Sequence, residues 1–373
     1  MRKITWLLGL CTVSACAVEP EAPAASDDPS VSSTEQAAFS YFPMGFARVT
    51  AAGGLHTQFN SAGGAVAVAH SPGNYTVTFP GLGGISSAAA SGGHIQISAE
   101  GTSNVRCRSM GWGGSPNLSA SVQCNAPDGS LADSAFTVLF YRYAMPAPST
   151  SPAGAAYSWV TASGVVSLQY DYNASGVHNT VSKTGTGQYT VTIPNASSSN
   201  ASMMVTSYGG TAGTTCSISG WGTGIANVAC HDRLGALTDS AFNFSYATTG
   251  PTMSQQGAHA WFDGAAASPW YSAALGKVSW CSPASVSGSG NLSLASLVVS
   301  GELGSWDGSP FLRASLVSKY GGAGYCKVES LSSVEGASST ATTTVRCYSP
   351  AGAVIPTPVF TFTHVTSDAT GPC

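Results

Sequence analysis

The sequence predicts an all-β protein built from three tandem β-sandwich repeats. Three observations carry that reading. The chain is similar to itself with a period of about 110 residues. Short alternating apolar runs are separated by Gly, Ser, Asn and Pro, as in sandwiches and barrels. No apolar period of 3.6 is sustained over a helix length.

The repeats align at constant offsets. Their opening segments are Phe39-Ser40-Tyr41-Phe42, Tyr157-Ser158-Trp159-Val160 and His259-Ala260-Trp261-Phe262. Turns follow at Asn60-Ser61-Ala62-Gly63 and Asn173-Ala174-Ser175-Gly176. The next strand, Tyr75-Thr76-Val77-Thr78-Phe79, matches Tyr189-Thr190-Val191-Thr192-Ile193, and alternation puts Tyr75, Val77 and Phe79 on one face. Gly290-Asn291-Leu292-Ser293-Leu294 is the weaker third copy. A cysteine pair then recurs: Cys107 with Cys124, Cys216 with Cys230, and Cys326 with Cys347. Five residues past the first cysteine stand Trp112, Trp221 and Leu331; five past the second stand Gly129, Gly235 and Gly352. Asp133 and Asp239 lead into closing strands that begin at Phe136 and Phe242, and Phe360 begins the third. About eight strands in about 100 residues suffice for one sandwich. The predicted division is 1–15, 16–37, 38–143 as repeat 1, 144–249 as linker and repeat 2, and 250–373 as linker and divergent repeat 3. The Pro-, Ser- and Gly-rich junctions read as short linkers between separately folded units.

The N-terminus reads as an export signal. Arg2 and Lys3 precede the apolar run Ile4 to Val13, too short to span a membrane. The run ends Val13-Ser14-Ala15-Cys16, which resembles the lipobox of bacterial lipoproteins; Leu8-Gly9-Leu10-Cys11 is a weaker competing site. The resemblance implies cleavage before Cys16, acylation of that cysteine, and, with Ala17 after it, an outer-membrane destination in a two-membrane host. Plain secretion with cleavage near Ala17 is the alternative. Residues 17–37 carry Glu19, Glu21, Asp27, Asp28 and Glu35 among Pro, Ala and Ser, with no Lys or Arg. They cannot bury a core and read as a disordered tether.

Charged residues make up only 8% of the chain, and loss of Arg2 and Lys3 takes the formal net charge from −4 to −6. Five of the acids sit in the tether, so the folded part is nearly neutral. Without a basic patch, nucleic acid is disfavoured as a partner.

With Cys11 lost and Cys16 acylated, eight cysteines remain. Export and an even count suggest four disulfides: the three repeat pairs and Cys281 with Cys373. A zinc site would require a metal-ligand spacing, and no Cys-x-x-Cys occurs.

The sequence carries few residues arranged for chemistry. No nucleophile elbow, zincin motif or P-loop is present. His56, His70 and His94 fit no ligand spacing. Cys230-His231-Asp232 is a compressed catalytic set only on paper, since adjacent strand residues face opposite ways. Asp128 with Asp133, and Asp232 with Asp239, offer calcium too few oxygens and fit turn formers better. No cofactor or metal is expected. The candidate binding residues are Trp112 and Trp221, each in Gly-Trp-Gly, with Trp270 and Trp306 in the tryptophan-rich third repeat. Each reads as a buried ring or an exposed platform for a sugar or partner protein.

The motifs Gly-x-Tyr-x-Val-x-Phe-Pro, Cys-x-x-x-x-Trp, Val-x-Cys and Gly-x-x-x-Asp-Ser-x-Phe resemble an uncharacterised family of exported bacterial tandem β-repeat proteins. The likeness covers 38–247 well and 257–364 loosely. The Tyr-x-Val strand and the closing strand also resemble jelly-roll domains at the tips of phage tail fibres. That second likeness implies jelly-roll-like units that associate in threes, as a trio within one chain or as separate beads. Neither likeness implies a ligand. The expected protein is a non-enzymatic cell-surface lipoprotein with a structural, adhesive or binding role, partnered by the membrane through its lipid and by a glycan or surface protein. The alternative is a lectin-like protein that binds carbohydrate through exposed tryptophans.

Overall fold

Eight strands recur three times in the computed structural model of the chain, paired the same way each time. The structure describes residues 43–84, 91–142, 155–196, 201–248, 257–263, 267–273, 285–291, 294–301, 313–334 and 339–366. The signal, the tether, Cys16, Cys281, Cys373, Trp306 and most of both junctions lie outside them.

The first set comprises β1 (Met44–Val49), β2 (Leu55–Asn60), β3 (Ala67–Ser71), β4 (Asn74–Phe79), β5 (His94–Ala99), β6 (Arg106–Gly113), β7 (Leu118–Asn125) and β8 (Phe136–Tyr141). The second runs β9 (Ala155–Val160), β10 (Val166–Asn173), β11 (Thr180–Gly185), β12 (Gln188–Thr192), β13 (Ala201–Tyr208), β14 (Thr215–Gly222), β15 (Ile225–His231) and β16 (Ala241–Thr248). The third runs β17 (Gly257–Phe262), β18 (Ala267–Ala273), β19 (Ser285–Asn291), β20 (Leu294–Gly301), β21 (Arg313–Lys319), β22 (Tyr325–Val334), β23 (Ser339–Tyr348) and β24 (Phe360–Thr366). The described residues contain no helix.

One sheet of each set has the order β2-β1-β8-β5 or its equivalent, and the other β3-β4-β7-β6. Connected strands such as β1–β2 and β3–β4 stay in one sheet. That separates this order from the jelly roll, in which connected strands mostly alternate between sheets. The two sheets of a set share one core: Val49, Ile97 and Phe136 of one meet Tyr75, Val77 and Phe79 of the other. Tyr189, Val191 and Phe242 repeat this in the second set, and Val328, Val345 and Phe362 in the third. The threonines between Tyr75, Val77 and Phe79 face away from that core.

The cysteine pairs close as expected. Cys107–Cys124, Cys216–Cys230 and Cys326–Cys347 are disulfides between directly opposed residues of neighbouring strands.

Pairing registers revise two sequence alignments. Val49, Val160 and Phe262 pair with the equivalent residues Phe136, Phe242 and Phe360 of the closing strands. The first-repeat counterpart of Tyr157-Ser158-Trp159-Val160 is therefore Phe46-Ala47-Arg48-Val49, seven residues beyond the look-alike Phe39-Ser40-Tyr41-Phe42, which lies outside the described residues. Likewise Ala295, two residues into β20, takes the place of Tyr75: each pairs two residues before the second cysteine. The third-repeat strand starts at Leu294, and Gly290-Asn291 ends the preceding strand.

The three sets meet in a ring. The Ile97 N–H donates to Thr206 Oγ1 (3.1 Å), whose proton goes to Gln96 Oε1 (2.5 Å). The Val205 N–H donates to Ser318 Oγ (2.9 Å), which donates to the Val205 carbonyl (3.0 Å). The Val317 N–H donates to Ser98 Oγ (3.2 Å), which returns to the Val317 carbonyl (3.5 Å). Register makes Ser98, Thr206 and Ser318 equivalent, so repeat 1 leans on 2, 2 on 3, and 3 on 1. Single parallel bridges run the same circuit: Ser109 with Tyr208, Ile218 with Tyr320, Val328 with Glu100. At each, the next glycine donates to the bridging carbonyl: Gly209 (2.8 Å), Gly321 (2.8 Å) and Gly101 (2.9 Å). All three have positive φ, a conformation that side chains with a Cβ resist. Phe46, Leu139, Met204, Leu316 and Val365 fill an apolar hub from all three repeats.

His94 is fully buried in this hub, stacked on Tyr157, with Gln96 Nε2 donating to its Nε2 (2.9 Å). His364, bonded to Ser315 Oγ (2.9 Å), is as deeply buried in repeat 3. Burial pushes both down to about 3, helped at His364 by Arg313 and Arg48. The unfolded chain takes up these protons below about pH 6.5 and the folded chain does not until about 3, so stability falls with pH in between. We predict a loss of about 2 kcal/mol per histidine on going from pH 7.5 to pH 5 in urea denaturation. His94→Gln should flatten that slope by about half; an unchanged slope would contradict the account.

Candidate functional site

The ring creates three equivalent seams and one axis, and these collect the unusual side chains. Arg48, Trp159 and Trp261 are equivalent by register, as are Glu100, Tyr208 and Tyr320.

Two seams are aromatic. Between repeats 1 and 2, Trp112 stands edge-on to Tyr170 (5.0 Å) and Tyr208 (5.8 Å), and Trp159 meets Tyr208 at 5.3 Å. Trp112 Nε1 donates to the Gly92 carbonyl (2.9 Å). Between repeats 2 and 3, Trp221 meets Tyr320 (5.1 Å) and Trp261 (5.9 Å). Trp112 and Trp221 thus occupy equivalent places, half-buried, each packed on its own repeat's core and facing the next repeat. Trp270 lies in β18, and neither its side chain nor Trp306 is described.

The third seam is ionic. Arg48 replaces tryptophan, Glu100 replaces tyrosine, and Leu331 takes the place of Trp112. Arg48 Nε and Nη2 reach the Glu100 carboxylate at 3.1 and 2.9 Å, and Thr137 donates to the same group. Lys327, completely buried, crosses this seam to the Ser103 carbonyl (2.8 Å). Burial lowers its pKa to about 8 against the pull of Glu100 and Glu329.

On the axis, Arg106 is 4% exposed and donates through Nη2 to the carbonyls of Pro127 (3.1 Å) and Pro350 (3.3 Å). Burial holds the pKa values of Arg106, Arg108 and Lys319 below their usual range. Three equivalent loops gather here: a Cβ on Gly352 would lie 2.5 Å from Pro127, and Gly129 and Gly235 abut Arg233 and Pro350 of the next repeat. This close approach explains the glycine that recurs five residues after the second cysteine.

The remaining sequence candidates are structural. Asp128 Oδ1 accepts from the N–H (2.9 Å) and hydroxyl (2.6 Å) of Ser130, and Asp232 Oδ1 from the N–H groups of Leu234 and Ala236. Asp133 and Asp239 receive the Gly73 and Gly187 N–H groups (2.7 and 2.8 Å) and pair with His70 and Lys183. Cys230 is bridged, and His231 and Asp232 form no relay with it. His70 and His94 serve different elements. Among the described residues no three His, Cys, Asp or Glu gather as metal ligands.

One cluster escaped the sequence search. Asp171, 1% exposed, accepts from Ser158 Oγ (2.7 Å), His178 Nδ1 (2.9 Å) and Asn179 Nδ2 (2.8 Å). A nucleophilic triad needs histidine between serine and carboxylate. Here the carboxylate stands in the middle, and Gln58 does the same anchoring in repeat 1 by accepting the Val66 N–H (2.5 Å). Arg106, Arg108 and Lys327 were also missed; their signal was Arg or Lys beside Cys107 and Cys326 in a chain so poor in charge.

No protein family, curated protein or solved structure matches the chain.

The ionic seam is the one to break. Side chains of Arg48 and Glu100 are only 12% and 10% exposed. Glu100→Ala leaves Arg48 buried without a counter-ion and should cost about 3 kcal/mol in urea denaturation. Arg48→Met with Glu100→Ala should recover most of it, because the other two seams are apolar. A single-variant loss below about 0.5 kcal/mol, the level of an exposed pair, would refute this reading.

Proposed function

We propose that the chain is an exported, lipid-anchored surface protein that acts as a non-enzymatic adhesive or binding module. Three disulfides fit an oxidising compartment. The observation that carries the reading is the polarity of the ring. Met44, where the first repeat begins, pairs with Tyr141 at the far end of the sheet from Phe136. The loops before Phe136, Phe242 and Phe360 cluster at the other end, around the axis. There they expose the equivalent residues Leu131, Leu237 and Val354, with Leu234 74% exposed beside them. A protein tethered at one end and displaying an apolar-tipped, rigidly braced loop face at the other is suited to holding a partner away from the membrane.

The lectin-like reading has one supporting observation, the half-buried Trp112 and Trp221 with their tyrosine neighbours. It places ligand contacts at the seams instead of the loop face, with Trp270 and Trp306 as further candidates.

Fractionation tests the anchor: wild type should stay with membranes and Cys16→Ala should be released, and equal release of both contradicts lipidation. Beads coated with the mature protein test the module on surfaces and a glycan array. Leu234→Ser with Leu237→Ser should cut bead adhesion at least fivefold with an unchanged melting temperature. Glycan binding lost only in Trp112→Ala, Trp270→Ala or Trp306→Ala would overturn this in favour of the lectin reading.

A further inference from the structure

At the hydroxyl ring the three repeats line a partly open cavity of about 50 Å³. Its wall is made of register-equivalent positions from all three repeats, which puts it on the pseudo-threefold axis. One triplet is Arg106, Thr215 and Tyr325; another is Ala99, Ser207 and Lys319. The symmetry of the backbone is complete, and that of the chemistry is not, since two cations, Arg106 and Lys319, stand where the other repeats carry neutral residues. No carboxylate lines the cavity.

Arg106 is the least satisfied group of the wall. Its Nη2 is satisfied by two carbonyls, but Nε and Nη1 are buried with no hydrogen-bond partner, and so is Thr215 Oγ1 across the cavity. The Arg106 guanidinium lies over the Tyr325 ring at 5.1 Å; besides burial, Tyr325 and a further cation, Arg233, act on it, and Arg106 in turn acts on Arg108. A buried guanidinium without a counter-ion is strongly disfavoured, and its unmet N–H groups require acceptors. A guanidinium N–H donates a strong, charge-assisted hydrogen bond to an anion.

We propose that this axial cavity binds one small inorganic anion, a halide or a tetrahedral oxyanion such as phosphate. The Arg106 guanidinium and the Thr215 hydroxyl are its donors, and Lys319, whose Nζ donates to the carbonyls of Tyr320 and Gly321, supplies additional positive charge. Because every repeat contributes to the wall, the anion clamps the ring and its occupancy sets how firmly the three repeats hold together.

The test uses the mature, disulfide-bonded protein at pH 7 and fixed ionic strength, with sodium gluconate, whose anion is too large to enter, exchanged for chloride or for phosphate. Chloride or phosphate should raise the melting temperature with a saturating dose response, as mass action requires. Arg106→Gln should weaken that response at least tenfold, whereas Arg346→Gln, in the separate pair with Glu329, should leave it intact. Equal melting temperatures in all three salts, or a full response in Arg106→Gln, would overturn the proposal. Should Arg106→Gln not fold, wild-type crystals soaked separately in bromide and selenate decide the matter. An anomalous peak within hydrogen-bonding distance of Arg106 supports the site, and its absence from both soaks refutes it.

Discussion

Three side-chain hydroxyls, those of Ser98, Thr206 and Ser318, hold the architecture together, each bonding the backbone of a neighbouring repeat. An edge strand leaves one row of backbone groups unpaired; β5 and β21 end their sheets, and β13 meets the neighbouring sheet through a single bridge. Here the strands β5, β13 and β21 come close enough around the axis for their amides to be bonded by hydroxyls of the next repeat. A buried amide that lost such a partner would bear its full desolvation cost, about 1–3 kcal/mol. The bridges that follow these strands turn through Gly101, Gly209 and Gly321 at positive φ, and three glycine-tipped loops come into contact at one end. Ring, seams and loop face follow from one constraint: the end strands of three similar sheets must meet without stranding backbone groups.

Similarity does not extend to chemistry. A covalently joined trio is free to change one seam without changing the others, which a trimer of identical chains is not. The chain uses that freedom twice. Tryptophan and tyrosine close two seams, whereas Arg48 and Glu100 close the third with Lys327 beside them. The axis concentrates cations contributed unequally by repeats 1 and 3. In both places the departure from symmetry falls on buried charge, where a change of partner has its largest energetic effect.

Much of the fold was legible because period-two burial writes itself into sequence. Tyr75, Val77 and Phe79 announced their strand, and the cysteine pairs could be matched by offset alone. The opening strand of repeat 1 was misaligned by seven residues, since Phe39-Ser40-Tyr41-Phe42 mimics the aromatic pattern while the true counterpart carries Arg48. Charge at that position hides the homology of the seam, and only pairing with β8 reveals it. The third repeat's Ala295 was invisible for the opposite reason: an alanine in place of Tyr75 leaves no aromatic signal. Among the candidate residues, Trp112 and Trp221 were picked out by their Gly-Trp-Gly setting, but their place at a seam depends on contacts with another repeat. Arg106 and Lys319 lie 213 residues apart in sequence, and no local pattern joins them.

Amide hydrogen exchange at Ile97, Val205 and Val317 tests the closed ring most directly. These three amides belong to different repeats, yet each is bonded across a repeat boundary. If the ring is one cooperative body, all three should exchange through the same global opening, with equal opening free energies that fall in parallel as denaturant is added. Exchange of any one of them through a separate, lower-energy opening that leaves the other two protected would show repeats that fold and open on their own, and would contradict the account.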